Sequence, residues 1–398
     1  MSEWKEYKME DLIEEIAMGP FGSNIKVDCF TDNGIPVLNG SNLVGFKLNE
    51  DSFNYVTKEK ADSLGHSNAF REDVVVTHRG TLGQIVYIPI NSKYERYVIS
   101  QSQFRFKCNK QLVDVPFLVY YFHSREGQYK LLANASQVGV PALARPTSTF
   151  KEIVVALPPI DEQKRIASIL TSLDDKIDLL RRENATLEAM AETLFRQWFV
   201  VEAKEEWEEG KLGDLTKHVK NSINPQKYPN TVFQHYSIPA YDDGKKPTIE
   251  TGENIQSNKY VIPQKCILFS KLNPHKDKRV WLMLDDVPDN AVCSTEFQIV
   301  KPNNSEYLYF MYGWLTFKDN YEEIASGVGG TSGSHQRIDP KSIFAFACPM
   351  VDVETIRGYN KYVEFLFYKQ RNNQLQIQTL IQTRDGLLPR LMGGEIKV

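Results

Sequence analysis

Long cationic side chains set in glycine- and proline-flexed turns are the chemistry this sequence offers first. His78-Arg79-Gly80-Thr81-Leu82-Gly83 falls between two strand-like runs, and Lys271-Leu272-Asn273-Pro274-His275-Lys276-Asp277-Lys278-Arg279 falls between two others. Arg and Lys presented in this way suit phosphate oxygens or the O6/N7 edge of guanine. Solvated hairpin turns would read alike, so the two runs alone leave both readings open. Donor-rich loops accompany them: Ser23 and Asn24 in Gly19-Pro20-Phe21-Gly22-Ser23-Asn24, then Asn39, Ser41 and Asn42, then Ser100 and Gln101, and finally Ser334, His335, Gln336 and Arg337. Their amides can pair with adenine N6 and N7. The candidate nucleic-acid contacts are these residues together with His78, Arg79, Thr81, Lys271, Asn273, His275, Lys276, Lys278 and Arg279.

Catalytic readings fail one by one. The sequence has no phosphate-binding loop of the Gly-x-x-x-x-Gly-Lys-Ser/Thr kind and no Gly-x-Ser-x-Gly elbow. Its seven histidines form no His-x-x-x-His or Glu-x-x-His pair. Gly327-Val328-Gly329-Gly330-Thr331-Ser332-Gly333 is glycine-rich but lacks a framing strand and helix. Asn273-Pro274-His275-Lys276 begins like the motif of amino-methyltransferases but lacks its second proline and its aromatic. The five cysteines, Cys29, Cys108, Cys266, Cys293 and Cys348, are scattered too widely for a zinc or redox pair and read as reduced thiols. No catalytic residue, metal or cofactor is expected in this chain.

The composition bounds the rest. At 398 residues, with 41% hydrophobic and 25% charged, the chain is a globular protein of two or three domains. Its formal net charge of -4 argues against coating nucleic acid nonspecifically and leaves part of any phosphate contact to a more basic partner. No apolar run approaches about 18 residues. The start, Met1-Ser2-Glu3-Trp4-Lys5-Glu6, is polar and acidic with no apolar core behind it, so a cytoplasmic protein is expected.

What must position these loops is a duplicated unit. Trp4-Lys5-Glu6-Tyr7-Lys8-Met9-Glu10-Asp11-Leu12 recurs 203 residues later as Trp207-Glu208-Glu209-Gly210-Lys211-Leu212-Gly213-Asp214-Leu215. Further matches place Ser102-Gln103-Phe104 over Thr295-Glu296-Phe297 at an offset of 193, and Phe117 over Tyr307 and Ile166 over Ile356 at 190. A period near 200 is far too long for a solenoid and indicates duplicated domains. Between the copies, after Pro158-Pro159, Asp161 is placed to cap a helix. Ile166, Leu170, Leu173, Ile177, Leu180, Asn184, Leu187, Ala191, Leu194 and Trp198 then alternate by four and three, an apolar seam broken once by Asn184. The second copy repeats it with Tyr359, Val363, Leu366, Gln370, Asn373, Ile377 and Leu380. Antiparallel pairing of the two helices would bring the polar interruptions together. Gly386 and Pro389 are expected to stop the second helix. Six runs read as strands: 73–77, 84–88, 103–106, 266–269, 280–283 and 297–300. The fold class is therefore α+β: two duplicated mixed α/β domains, residues 1–150 and 206–348, separated by two long antiparallel coiled-coil helices in 151–205 and 349–398.

At this point the chain resembles the specificity subunit of type I restriction–modification systems. Leu157-Pro158-Pro159-Ile160-Asp161-Glu162-Gln163-Lys164-Arg165-Ile166 carries the resemblance, with Leu194-Phe195-Arg196-Gln197-Trp198-Phe199-Val200 and the tail from Arg384 to Ile396. Gly19-Pro20-Phe21-Gly22-Ser23 and Arg79-Gly80-Thr81-Leu82-Gly83 also look like elements of its recognition domains. The second copy departs from the pattern: Pro349 to Glu354 lacks the Glu-Gln pair. The resemblance implies two target-recognition domains that each read one half of a split, asymmetric DNA site, with the long helices as a ruler. It implies assembly with two methyltransferase subunits, which bind S-adenosylmethionine, and with translocating nuclease subunits. A methyltransferase-only or fused restriction system is the nearest alternative, and a coiled-coil adaptor with protein-binding heads is the rival without DNA.

Overall fold

The computed structural model describes residues 4–136, 139–329 and 336–398. The chain forms two compact units: residues 1–180 with 376–398, and residues 181–375. Each unit contains one mixed α/β domain and a stretch of antiparallel helix pair.

In the first unit the runs of Val, Ile and Phe build a four-stranded antiparallel sheet in the order Ile13–Met18, Gln103–Cys108, Val74–Thr77, Ile85–Tyr87. Its two faces are both buried, which is why the strands read as near-continuous apolar runs. Val74, Val76, Phe104 and Phe106 pack against the helices Val115–His123 and Arg125–Leu132. Val75 and Val86 face Tyr97 of a second sheet and Leu38 and Ile99 just past the ends of its strands. That sheet has the order Phe30–Thr31, Asn54–Val56, Ile35–Val37, Arg96–Val98, Asn68–Phe70, with one parallel pair, Val37 opposite Val98. Between the two sheets lies a buried ion pair, Arg105 with Asp73, which the half-exposed Glu15 joins. Arg105, 3% exposed, holds Glu15 at 2.5 Å and Asp73 at 3.3 Å. Burial pushes the Asp73 carboxyl up to about 6, whereas Arg105 holds Glu15 below the usual carboxylate range.

The second unit repeats this wiring. Its four-stranded sheet runs Thr216–His218, Phe297–Pro302, Cys266–Ser270, Val280–Met283. Its second sheet again has one parallel pair, Val232–Tyr236 beside Ala291–Ser294, flanked by Thr248–Thr251 and Lys259–Val261. The extra edge strand differs. Phe30–Thr31 extends the hairpin edge in the first unit, and Ser222–Ile223 extends the opposite edge in the second. All six strands expected from the sequence are present.

The ladders correct the repeat alignment. Gln103 pairs with Thr77 and Phe297 pairs with Ser270, so Phe297 is the counterpart of Gln103, at 194 rather than 193. The helix pairs break at Ser124 and Phe317, which sets that offset to 193 rather than 190. Matching aromatic letters misled there, because a slip of three residues along a helix keeps nearly the same face. The long helices begin at Ile160 and Val353, so Ile356 stands where Gln163 stands in the first copy. Gln163, 1% exposed, accepts from the Asp114 amide and donates to the Leu112 and Pro158 carbonyls. Ile356 fills the same position with an apolar side chain at 0% exposure. This accounts for the missing Glu-Gln pair.

The first long helix spans Ile160–Arg196 and continues into a π-helical turn, Gln197–Val201. Asp161 lies in its first turn, not at the cap. The Pro159 carbonyl takes the Glu162 and Gln163 amides instead. The second spans Val353–Met392 and runs through Gly386 and Pro389. A proline inside a helix costs roughly 3 kcal/mol. Here Leu388, Leu391 and Met392 sink into the first unit's core, each at 8% exposure or less, and burying side chains of that size contributes about 1.5–3 kcal/mol apiece. The helix stops at Gly393-Gly394, where Gly394 takes φ +68°. In each unit rising numbers on one helix meet falling numbers on the other. Ile177 and Leu180 pack on Ile377 with Leu380 in the first unit. Leu187, Ala191 and Phe195 share a core with Tyr359, Val363 and Leu366 in the second. Asn373 donates to Asn184 Oδ1 at 3.0 Å and to Glu183 at 2.8 Å, and Gln370 donates to the Asn184 carbonyl at 3.0 Å.

Candidate nucleic-acid interface

Four loops of the first unit converge at one end of its sheets. The turn from Thr77 to Gln84 is held by Thr77 N–H on the Gln84 carbonyl at 3.0 Å, with Gly80 at φ +94° and Gly83 at φ +87°, a backbone that favours glycine. His78 sits at its centre. Its amide donates to the Ser102 carbonyl and its carbonyl accepts from the Leu143 amide, both at 2.8 Å. Gln84 Nε2 donates to the Gly40 carbonyl at 3.0 Å, tying in the loop of Asn39 and Ser41. The Gly19 amide donates to the Gln103 carbonyl at 2.8 Å, and a Cβ there would lie 1.9 Å from the Ser100 carbonyl oxygen. Between these loops lies a cavity of about 170 Å³ bordered by Phe21, Asn39, Asn54, Ser100 and Gln101. Phe21 stands 83% exposed at its rim.

The side chains differ in what they have left to offer. Arg79 is exposed and has neither an ion-pair nor a hydrogen-bond partner among the described residues. Asn24, Thr81 and Gln101 are exposed as well. Burial lowers the pKa of His78 below the ordinary value, which favours the neutral ring, and its Nε2–H donates to the Gln101 carbonyl at 3.2 Å. Asn39 caps a short helical turn by accepting from Ser41 N and Ser41 Oγ. Asn42 is 1% exposed and spends both amide hydrogens on the Asn49 and Ser52 carbonyls, so it is structural and cannot reach a base.

The second unit builds the corresponding turn from Ser270 to Arg279, two residues longer. The Lys271 amide donates to the Glu296 carbonyl at 2.9 Å, and its carbonyl accepts from the Ile338 amide at 3.0 Å. Asn273, at φ +47°, exchanges bonds with Gln336: N–H to the Gln336 carbonyl at 2.9 Å and Oδ1 from the Gln336 amide at 3.1 Å. His275 and Lys276 are exposed at the tip. The last two cations of the run are occupied. Lys278 Nζ donates to the Thr316 carbonyl at 3.0 Å, at a helix C-terminus. Arg279, only 11% exposed, is forked on Asp242 at 2.6 and 2.9 Å and also pairs with Asp277 at 2.7 Å. The expectation that Arg279 offers a free guanidinium to nucleic acid is therefore not met: its Nε and Nη2 groups are already engaged by Asp242 and Asp277. Arg337 pairs with Glu296 through two bonds of 2.9 Å, and burial lowers the pKa of Lys271. Ser334 and His335 lie outside the described residues, as does most of the 327–333 glycine run, and the Ser23 side chain is likewise undescribed.

Glu296, Asp242 and Phe21 are the residues whose part the sequence did not disclose. Only Phe21, an apolar residue between Pro20 and Gly22, carried a local signal. Among the described residues no group of His, Cys, Asp and Glu is arranged to hold a metal ion, and no helix is long and apolar enough to cross a membrane.

Comparison with known proteins gives a consistent picture. Residues 1–189 match the family model described as the type I restriction modification DNA specificity domain. The chain is 26% identical over 435 aligned positions, covering 100% of it and 94% of the relative, to the type I restriction enzyme MjaIX specificity subunit of Methanocaldococcus jannaschii. It is 26% identical over 203 positions, 50% of this chain and 41% of the relative, to the HindI specificity subunit of Haemophilus influenzae. The crystal structure of the type I restriction–modification S subunit from M. genitalium shares the fold, with a TM-score of 0.64 at 17% identity, covering 98% of this chain and 96% of that one. The resemblance and the fold class read from the sequence are both borne out.

Proposed function

We propose, from the premise that the chain is a type I restriction–modification specificity subunit, that it reads a split, asymmetric DNA site with one half-site per domain. It is itself non-catalytic. It docks two methyltransferase subunits, which carry S-adenosylmethionine, and nuclease subunits, through its helical regions. The observation that carries this reading is the duplication: the same two-sheet frame is built twice with different residues in its loops. One frame with two loop sets suits one chain reading two different half-sites. The paired helices would then set the number of unread base pairs between them. The net charge of -4 leaves little counterion release to the isolated chain, so partner subunits would supply much of the affinity.

The test is methylome sequencing of a host that expresses the chain with its methyltransferase partner. A bipartite motif with a fixed spacer is the expected result. Methylation at a continuous motif, or none that depends on this chain, would refute the reading. The adaptor alternative predicts no sequence-selective DNA binding by the assembled complex.

A further inference from the structure

The two domains hold one backbone bridge in common, and their arginines sit on opposite strands of it. In the first domain Arg79 is paired antiparallel with Ala142; in the second Leu272 is paired with Arg337. The surrounding bonds show that the two bridges are equivalent. His78 N–H to the Ser102 carbonyl and Leu143 N–H to the His78 carbonyl correspond to Lys271 N–H to the Glu296 carbonyl and Ile338 N–H to the Lys271 carbonyl. Leu272 thus occupies the place of Arg79, and Arg337 the place of Ala142. Each bridge carries one guanidinium, delivered from the other side. Within the corresponding turn Lys278 and Arg279 are held by other parts of the fold, so the guanidinium at the second bridge comes from Arg337.

The surroundings of the two arginines differ in charge. Arg79 is exposed, beside His78, whose burial disfavours its charged form. Arg337 is half exposed and borders a cleft of about 670 Å³ with Glu296, Tyr260 and Lys271. The ammonium of Lys271 has no ion pair or hydrogen bond among the described residues, although it is half-buried. A forked Arg–Glu pair at the mouth of an open cleft is the donor and acceptor set of a G·C pair. Arginine bonds guanine O6 and N7, and a carboxylate accepts from cytosine N4.

Resting on the reading above, we propose that Arg79 and Arg337 are the corresponding base readers of the two domains. In the second domain Arg337 and Glu296 exchange their mutual pair for the guanine and cytosine of one G·C pair, with Lys271 supplying the cationic wall of the cleft. The first domain has Ser102 where Glu296 stands and reads with Arg79 alone.

The test uses the chain assembled with its methyltransferase subunits. Methylome sequencing of the parent comes first, and absence of any bipartite motif there fails the function reading and not this inference. Given a bipartite motif, Arg337→Ala should relax one G·C position in one half-site, and Arg79→Ala should relax one position in the other. Each bidentate contact should be worth roughly 5- to 150-fold in discrimination between cognate and single-substituted oligonucleotides. Arg337→Lys keeps the charge and loses the fork, so it should relax the same position while the salt dependence of binding stays unchanged. It also carries the test if Arg337→Ala lowers the melting temperature. Glu296→Gln should weaken stringency at that same position. Unchanged stringency in Arg337→Ala and Arg337→Lys overturns the inference, as does relaxation of the same half-site by the Arg79 and Arg337 variants. Loss of all binding in a variant with an unchanged melting curve also overturns it, because one base contact is far smaller than the 10³- to 10⁷-fold total preference of such proteins.

Discussion

Removing the buried amide of Asn373 should loosen the helix pair, and removing its partner as well should restore it. Asn373 is 1% exposed and donates to Asn184 Oδ1 at 3.0 Å and Glu183 Oε2 at 2.8 Å. In Asn373→Leu the Asn184 oxygen loses its side-chain donor in a half-buried seam, which costs about 1 kcal/mol. The Glu183 carboxylate loses a charge-assisted bond, typically about 1.5–3 kcal/mol. That figure is reduced here because Glu183 is 38% exposed and keeps Lys369 at 3.4 Å. The sum is about 2 kcal/mol, or roughly 30-fold faster opening. In the double variant Asn184→Leu with Asn373→Leu two apolar side chains face one another, a replacement that is often neutral or stabilising. Hydrogen exchange of the full chain, read at peptides spanning 181–190 and 368–378, gives the local opening free energy directly. The single variant should exchange about 30-fold faster and the double should return to within a few-fold of the parent. Additive effects, with the double as labile as the two singles combined, would refute the matched-pair account. The restored helix pair should nonetheless be less specific in register, because an apolar seam tolerates a heptad slip that a buried polar pair forbids.

Three further outcomes are expected. Arg279→Ala should lower the thermal stability of the second unit while leaving the sequence preference of the assembled complex intact, since its contacts are to Asp242 and Asp277; a changed methylation motif would contradict this. Asp73, at about 6 against an ordinary carboxyl of about 3.9, is disfavoured in its charged form by the fold, so its contribution is full below the ordinary value and is lost as pH rises through about 6. Melting curves of Asp73→Asn and the parent should therefore converge or cross between pH 4 and 7, by roughly 3 kcal/mol in relative stability, and a pH-independent difference would rule this out. Matched heptad insertions after Leu187 and near Gln370 add roughly 10 Å of helix, so the methylated site should gain about three spacer base pairs at 3.4 Å each with unchanged half-sites; an active variant with the old spacer would sink the ruler.

Much of the architecture is decided by short-range pattern, and the sequence suffices for it. A seam at Ile166, Leu170, Leu173, Ile177 and Leu180 can only be buried on one face of a helix, and runs such as Val74-Val75-Val76 can only be strands covered on both sides. The two Trp-to-Leu segments at 4–12 and 207–215 reveal the duplication because their local turn chemistry recurs: Lys8 with Asp11, and Lys211 with Asp214. Tertiary structure decided what depends on partners distant in the chain. Pro389 stays inside a helix because Leu388, Leu391 and Met392 find a core that no local rule contains. Asn42 and Arg279 look as available as Asn24 and Arg79 in a list of residues. Two loop carbonyls and two carboxylates, one of the latter 37 positions away, take the first pair out of reach. The exchange of arginines across the bridge is invisible to alignment, because Arg79 and Arg337 lie on different strands and are related only through hydrogen bonds between segments far apart in the chain.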